Sequence, residues 1–363
     1  MTVTLTTDRR RQATYTAVID CDIHNALPSH ATLARYLPER WRQHLAGYGL
    51  RYYALGAYYP RLNPNAARTD AWPPGGAPPG SDLQFMRRQL LDAWNIEYGV
   101  LNPLHLAGEQ PNRAYSEALA LALNEWQIAE WLEPEPRLRA SIVVPYEDGE
   151  LAAAEIDRRG ADARFVQVLL VARTREPLGR RKYWPMYEAA ARHNLPIGIH
   201  FGGAGGWPIT GAGWPSFYVE DHTGMPQAFQ AQIISLVCEG VFEQFPTLKI
   251  VLIEGGFAWL PPLMWRLDRS WRRLRDEVPH LRRAPSEYIR EHFWFTTQPI
   301  EEPPNPAYFG QLLEQLDMDD HMMFATDYPH WDFDSPDQAI PTNLPPMLRR
   351  NIMAENARAF YRF

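Results

Sequence analysis

Short continuous apolar runs recur along the chain. They alternate with segments whose apolar residues fall three or four positions apart. Runs of the first kind suit strands buried on both faces, and the second spacing suits helices with one face on a core. Eight runs predict strands, at 17–21, 97–101, 140–144, 165–170, 196–200, 249–253, 293–296 and 322–326. Lys249-Ile250-Val251-Leu252-Ile253 shows the pattern most plainly. Helical spacing predicts a helix over 115–131, through Ala118, Leu119, Ala122 and Trp126, and another over 227–245, through Ile233, Ile234, Val237 and Val241. A third covers 261–278, where paired prolines suit a first helical turn, and a closing helix covers 345–361. Eight strands alternating with helices predict an α/β fold, a (β/α)8 or TIM barrel. An open, doubly wound sheet is the alternative.

No repeat or composition break divides residues 17–363, which read as one domain after an N-terminal tail, 1–16. Residues 25–96 are too many for one connecting helix. They predict an excursion over the barrel mouth, carrying Tyr52, Tyr53, Tyr58, Tyr59 and the Pro-Gly stretch 73–80. The loop 202–226, rich in Gly and Trp, predicts a second cover.

Composition narrows the function. The net charge of −7 speaks against nucleic-acid binding, which needs a basic surface. No apolar run approaches the roughly 18 residues of a membrane span. The polar stretch 1–14, with Arg9, Arg10 and Arg11, has no apolar core behind it and does not read as a secretory signal. Cys21 and Cys238 lie in apolar segments and read as buried thiols, which predicts a reducing, cytoplasmic setting. Of the 33 prolines, clusters fall in the loops 72–80 and 301–306, and the 13 tryptophans predict large packed surfaces or an aromatic-lined cleft.

Candidate chemistry sits at strand ends. The first strand runs Val18-Ile19-Asp20-Cys21-Asp22-Ile23-His24. Side chains two apart on a strand point the same way, so Asp20, Asp22 and His24 form a polar line on an apolar strand. Buried polar groups must be paired or must bind something. A carboxylate and an imidazole side by side can hold one hard or borderline metal ion. By itself an Asp-x-His pair is a weak signal. Strand five, however, ends at His200 before Gly202-Gly203, and strand eight ends at Asp327. Ligands at the C-terminal ends of strands one, five and eight would converge on the barrel axis.

These motifs resemble the amidohydrolase-related family of the amidohydrolase superfamily. That family includes decarboxylases of the aminocarboxymuconate-semialdehyde and γ-resorcylate types and hydrolases of cyclic esters. The resemblance rests on Ile19-Asp20-Cys21-Asp22-Ile23-His24, Gly198-Ile199-His200-Phe201, Ile253-Glu254-Gly255-Gly256, Ala325-Thr326-Asp327-Tyr328-Pro329 and Asn356-Ala357-Arg358, and spans roughly 17–363. It implies one divalent metal, zinc or alternatively manganese or another divalent ion, held by Asp22, His24, His200 and Asp327. It also implies a homo-oligomer, a dimer. The chain departs from the family at Asp22, where many members have a histidine or a glutamate. It departs again at Glu254, where many have a strand-six histidine that acts in proton transfer.

Glu254 could serve as general base or acid, bind substrate, or support a ligand. His222, in Glu220-Asp221-His222-Thr223-Gly224, is a candidate proton shuttle or substrate contact in place of the absent histidine. His330 and Asp20 are candidate substrate or supporting groups, and Asp332 reads as a turn or cap residue. The basic run 266–275 reads as a solvated helix face. Gly202-Gly203-Ala204-Gly205-Gly206 lacks the Lys-Ser/Thr of a phosphate loop, and no Gly-x-Ser-x-Gly elbow occurs. The function expected is a metal-dependent hydrolase of a small carboxylated, lactone or amide substrate, with Asp327 as base through a metal-activated water. Glu254 or His222 would then give the leaving group its proton. The alternatives are a non-oxidative decarboxylase of an aromatic or unsaturated acid and, in another class, a catalytically inactive barrel that binds sugars or small molecules.

Overall fold

The computed structural model describes residues 17–49, 66–203, 208–341 and 344–363. The tail 1–16, the tyrosines Tyr52, Tyr53, Tyr58 and Tyr59 and the stretch Ala204-Gly205-Gly206 lie outside the described residues. The strands are β1 Val18–Ile23, β2 Ile96–Leu101, β3 Leu138–Val143, β4 Phe165–Val171, β5 Ile197–His200, β6 Ile250–Ile253, β7 Phe293–Thr296 and β8 Met322–Met323. They pair in parallel in sequence order from β1 to β8, with helices in the connections. β8 returns to β1 through Cys21 N–H to Phe324 O (2.9 Å), Asp327 N–H to Asp22 O (3.1 Å) and His24 N–H to Tyr328 O (2.7 Å). The sheet is therefore an eight-stranded barrel rather than an open, doubly wound one, whose strand order would reverse.

Every residue of β1, β5, β6, β7 and β8 is buried, as expected where helices cover the outside of a parallel sheet. Strand eight is shorter than its apolar run because side chains take over the ladder. Ala325 N–H donates to Thr297 Oγ1 and Thr326 N–H to Asp20 Oδ1. The helices begin where capping chemistry allows. Asn112 caps Arg113–Gln127 and Asp148 caps Gly149–Arg159, each accepting a backbone N–H three residues on. The expected helix 227–245 is two helices, Pro226–Cys238 and Val241–Gln244. Gly240 separates them at φ +77°, in the left-handed region, where an added Cβ would lie 2.7 Å from His280. The closing segment runs from Pro346–Arg350 through a π turn at Asn351–Glu355 to Asn356–Tyr361.

Within 25–96, the described residues hold a 3-10 turn at His30–Arg35, a helix at Glu39–Tyr48 and a short helix at Leu83–Met86 that leads toward β2. The Pro-Gly stretch ends against the mouth of β1. Ala26 N–H donates to Gly80 O, and a Cβ on Gly80 would fall 2.2 Å from the His24 carbonyl oxygen. Among the described residues no helix is long and apolar enough to cross a membrane. Both cysteines are free thiols, Cys21 buried and Cys238 only half-buried, because Cys238 ends its helix near the surface. The basic run lies on the exposed side of Leu260–Arg273, with Arg266, Arg269, Arg272 and Arg273 in solvent.

Candidate metal centre

Asp22, His24, His200, Glu254 and Asp327 converge at the strand ends. Each offers one ligand atom, and these atoms lie within 4.8 Å of one another with all five residues buried. His24 Nε2 is 2.8 Å from Asp327 Oδ1 and 3.5 Å from Asp22 Oδ1. His200 Nε2 is 3.2 Å from both Asp22 Oδ2 and Glu254 Oε2. The other ring nitrogens are tied down, His24 Nδ1 to Asn102 O at 2.7 Å and His200 Nδ1 to Phe201 O at 2.5 Å. A backbone carbonyl can only accept, so each Nδ1 carries a proton, which leaves each Nε2 facing the carboxylates as the nitrogen that could bind an ion.

Backbone conformation aims two of these groups. Glu254 (φ +60°) and Asp327 (φ +59°) are both left-handed, a conformation that costs a non-glycine residue of order 1–3 kcal/mol. The surroundings enforce it. Glu254 N–H donates to Thr296 Oγ1 on the neighbouring strand end, and Asp327 N–H donates to Asp22 O. Each carboxylate thus leaves its strand at a sharp turn into the cluster.

The electrostatics call for a cation. Three carboxylates set against two imidazoles bury more acidic than basic groups. Burial drives Glu254 well above the ordinary carboxylate range, and Asp327, Asp22 and Asp332 add to the rise. Burial pulls His24 down, but Asp22 and Asp327 outweigh it and lift His24 to about 9. Burial also raises Asp22 and Asp327, yet neighbouring histidines overcome it and hold both below the usual 3.8. Asp327 Oδ2 is buried with no hydrogen-bond partner among the described residues. Imidazole nitrogen and carboxylate oxygen form a donor set that suits a divalent zinc or manganese ion. A divalent ion there would meet the orphaned oxygen and neutralise the excess charge.

The remaining candidates fall around this cluster. His330 Nδ1 lies 2.6 Å from Asp327 Oδ1, and its ring packs 4.4 Å from that of His24. Asp20 does not join the cluster. Its carboxylate accepts from Thr326 Oγ1 at 2.6 Å, Thr326 N–H at 2.9 Å and Asp22 N–H at 3.2 Å, fastening β1 to the segment after β8. His222 stands to one side, on Tyr218–Gly224, with Nε2 3.0 Å from Asp332 Oδ2. His222, Asp332 and Glu254 again place ligand atoms within 4.8 Å, so Glu254 links the cluster to a His–Asp pair. Asp332 lies in a turn, as expected, and also accepts from Gln298 Nε2 at 3.0 Å, which fixes it beside His222.

Sequence reasoning missed Asn102, whose Nδ2 donates to Asp22 Oδ1 at 2.8 Å and whose carbonyl holds His24. The signal was present, since Asn102 directly follows the run 97–101 at a strand's C-terminal end.

A family model described as amidohydrolase matches residues 19–363. The chain belongs to the amidohydrolase family. This amidohydrolase is 27% identical over 280 residues to γ-resorcylate decarboxylase from Polaromonas sp. strain JS666, covering 70% of this chain and 79% of that one. It is 26% identical over 307 residues to γ-resorcylate decarboxylase from Rhizobium sp. strain MTP-10005, covering 77% and 88%. Its fold is similar to the crystal structure of a dihydroxybenzoic acid decarboxylase from Polaromonas sp. JS666, with bound manganese and the inhibitor 2-nitroresorcinol. The TM-score is 0.66 at 21% identity, over 96% of this chain and 97% of that one. Family, barrel and buried donor set together make the chain an enzyme with a site for a divalent metal.

Proposed function

We propose that this amidohydrolase is a metal-dependent carboxy-lyase that removes CO2 from a small aromatic acid without oxidation. One observation carries the reading: a buried, carboxylate-rich donor set at the barrel mouth, in a chain whose curated relatives are γ-resorcylate decarboxylases. Asp22, His24, His200 and Asp327 are the residues that would hold the ion, manganese as in the similar crystal structure or zinc. When bound, the ion would supply a Lewis acid for the oxygen atoms of the substrate.

The chain's own groups then manage a proton. Decarboxylation breaks the bond from ring carbon to carboxylate, releases CO2 and forms a C–H bond, so one proton must reach that carbon. Glu254 sits at the mouth between the metal cluster and the His222–Asp332 pair, where a carboxyl group can carry and pass a proton. It gives the proton, and His222, oriented by Asp332, restores it. His330 holds Asp327 in place through its 2.6 Å contact. The described residues of 25–96 and of the loop 202–226 serve as mouth covers of a single domain, a role supported by Gly80 packing against the end of β1. The same reading takes the protein as a cytoplasmic dimer, supported by two free thiols and by exposed apolar side chains such as Phe217 and Val219.

Glu254 also favours a second reading. A carboxylate at the end of strand six suits a base that activates water, as a hydrolase of a carboxylated, lactone or amide substrate requires. The test is product analysis of manganese-loaded protein. Carboxyl-13C 2,6-dihydroxybenzoate and related hydroxybenzoates in D2O should give one 13CO2 per product and one deuterium on the ring. Products carrying 18O from labelled water, formed from lactones or amides and without 13CO2, would replace the carboxy-lyase by the hydrolase.

A further inference from the structure

The turn that carries Glu254 is held from three sides. Glu254 N–H donates to Thr296 Oγ1 at 3.1 Å, and Trp259 Nε1 donates to Gly255 O at 2.9 Å. The third hold comes from Glu301, beyond β7. Its Oε1 accepts from both Phe257 N–H and Ala258 N–H, each at 2.9 Å. Gly256 (φ +62°) makes room for this clasp, since a Cβ there would fall 2.6 Å from that oxygen. Between Glu254 and the clasp lie only Gly255 and Gly256, which have no side chains to restrict the backbone. The clasp therefore acts where the chain is least constrained of itself, beside a glutamate that must keep an unfavourable φ of +60°. Glu301 Oε2 is buried with no hydrogen-bond partner among the described residues, so the hold uses one acceptor oxygen. The same short segment reaches the other half of the proton route. Gln298 is 1% exposed and donates from Nε2 to Asp332 Oδ2, which holds His222 at 3.0 Å. Residues 298–301 thus grip the Glu254 turn with one side chain and the His222–Asp332 pair with another.

We propose that Glu301 is a positioning residue: by clasping the Phe257 and Ala258 amides it keeps the Glu254 carboxyl group where it can exchange a proton with His222. It acts through Glu254 and not on the substrate. The proposal rests on the reading of Glu254 as the proton donor of a carboxy-lyase. A misplacement near 1 Å can cost about 10²-fold in rate, so losing the clasp should lower kcat roughly 10- to 100-fold.

The experiment compares manganese-loaded wild type, Glu301→Leu and Glu301→Gln on carboxyl-13C 2,6-dihydroxybenzoate, together with a crystal structure of Glu301→Leu. The leucine variant has no acceptor. It should lose kcat with KM and metal content unchanged, and its crystal structure should show Glu254 moved from its place beside His200. Glu301→Gln keeps an acceptor oxygen for the two amides and should recover most of the loss. In a Glu254→Gln background Glu301→Leu should cost nothing further, whereas a purely structural role would cost the same in both backgrounds. Glu301→Asp, one methylene too short for the clasp, takes its place if the leucine variant does not fold. Wild-type kcat without the clasp, an equal loss in both backgrounds, a glutamine variant no better than leucine, or an unmoved Glu254 overturns the proposal. If the wild type releases no 13CO2 while Glu254 is displaced in Glu301→Leu, the positioning role stands and the carboxy-lyase falls. Release of 13CO2 with Glu254 unmoved in that variant does the reverse.

Discussion

The barrel carries two sets of polar side chains, and they differ in how completely they are matched. Partway along the strands, Asp20, Ser141 and Gln167 form closed arrangements. Asp20 is answered by Thr326 and the Asp22 amide. Gln167 donates to Ser141 Oγ and Asn102 Oδ1 and accepts from Tyr361 OH at 2.7 Å. At the strand ends, carboxylates crowd against imidazole nitrogens and Asp327 Oδ2 has no partner among the described residues. Both sets are buried and polar, so polarity inside a barrel does not by itself mark a site. An unmatched donor set does, because it stores a cost that only an added ligand removes.

The comparison breaks most sharply at the metal. Asp327→Asn and His200→Ala should each lower metal affinity by at least ~100-fold, since losing even a group that supports a ligand costs 10- to 100-fold. Elemental analysis after dialysis should show near-stoichiometric divalent metal in the wild type and little in either variant. Both variants retaining full metal would mean that the cluster is a hydrogen-bonded network like the one beneath it.

A smaller effect should follow at the His–Asp pair. Asp332→Asn keeps the shape but removes the charge that orients His222. It should lower kcat about 10²-fold, the lower range for a general acid–base group, with metal content unchanged. His222→Ala should do the same, and the double variant should be no worse than either single, since the two act as one unit. Additive losses would separate Asp332 from His222. Lost metal in Asp332→Asn would draw that pair into the ion's own coordination.

The strand-end positions of Asp22, His24, His200, Glu254 and Asp327 were legible because barrel strands are short apolar runs that stop at a polar residue. The fold was legible for the same reason, down to strand seven, which spans 293–296 as expected. What was hidden depended on contacts distant in sequence. Asp332 reads as a loop residue until Gln298 and His222 are seen around it. Asp20 looks equivalent to Asp22 in the strand pattern, and only Thr326, 306 residues away, shows that it is fastened to the chain. The break at Gly240 was missed because apolar spacing continues across it while the left-handed glycine ends the helix.

The smallest effect belongs to the matched set, where Tyr361→Phe removes a hydroxyl and keeps the ring. Gln167 Oε1 would lose its 2.7 Å donor in a place where Tyr361 is only 8% exposed. Leaving one buried acceptor unanswered costs about 1–3 kcal/mol, and the melting temperature should fall by a few degrees at most for a chain of this length. Gln167 would still reach Asn102 and Ser141 through Nε2, and Asn102 would still hold Asp22. Metal content and kcat should therefore stay at wild-type values while stability falls. If Tyr361→Phe instead weakened metal binding about 10-fold or more, the line from Tyr361 through Gln167 and Asn102 to Asp22 would be one unit. The matched residues would then belong to the site they appear only to support.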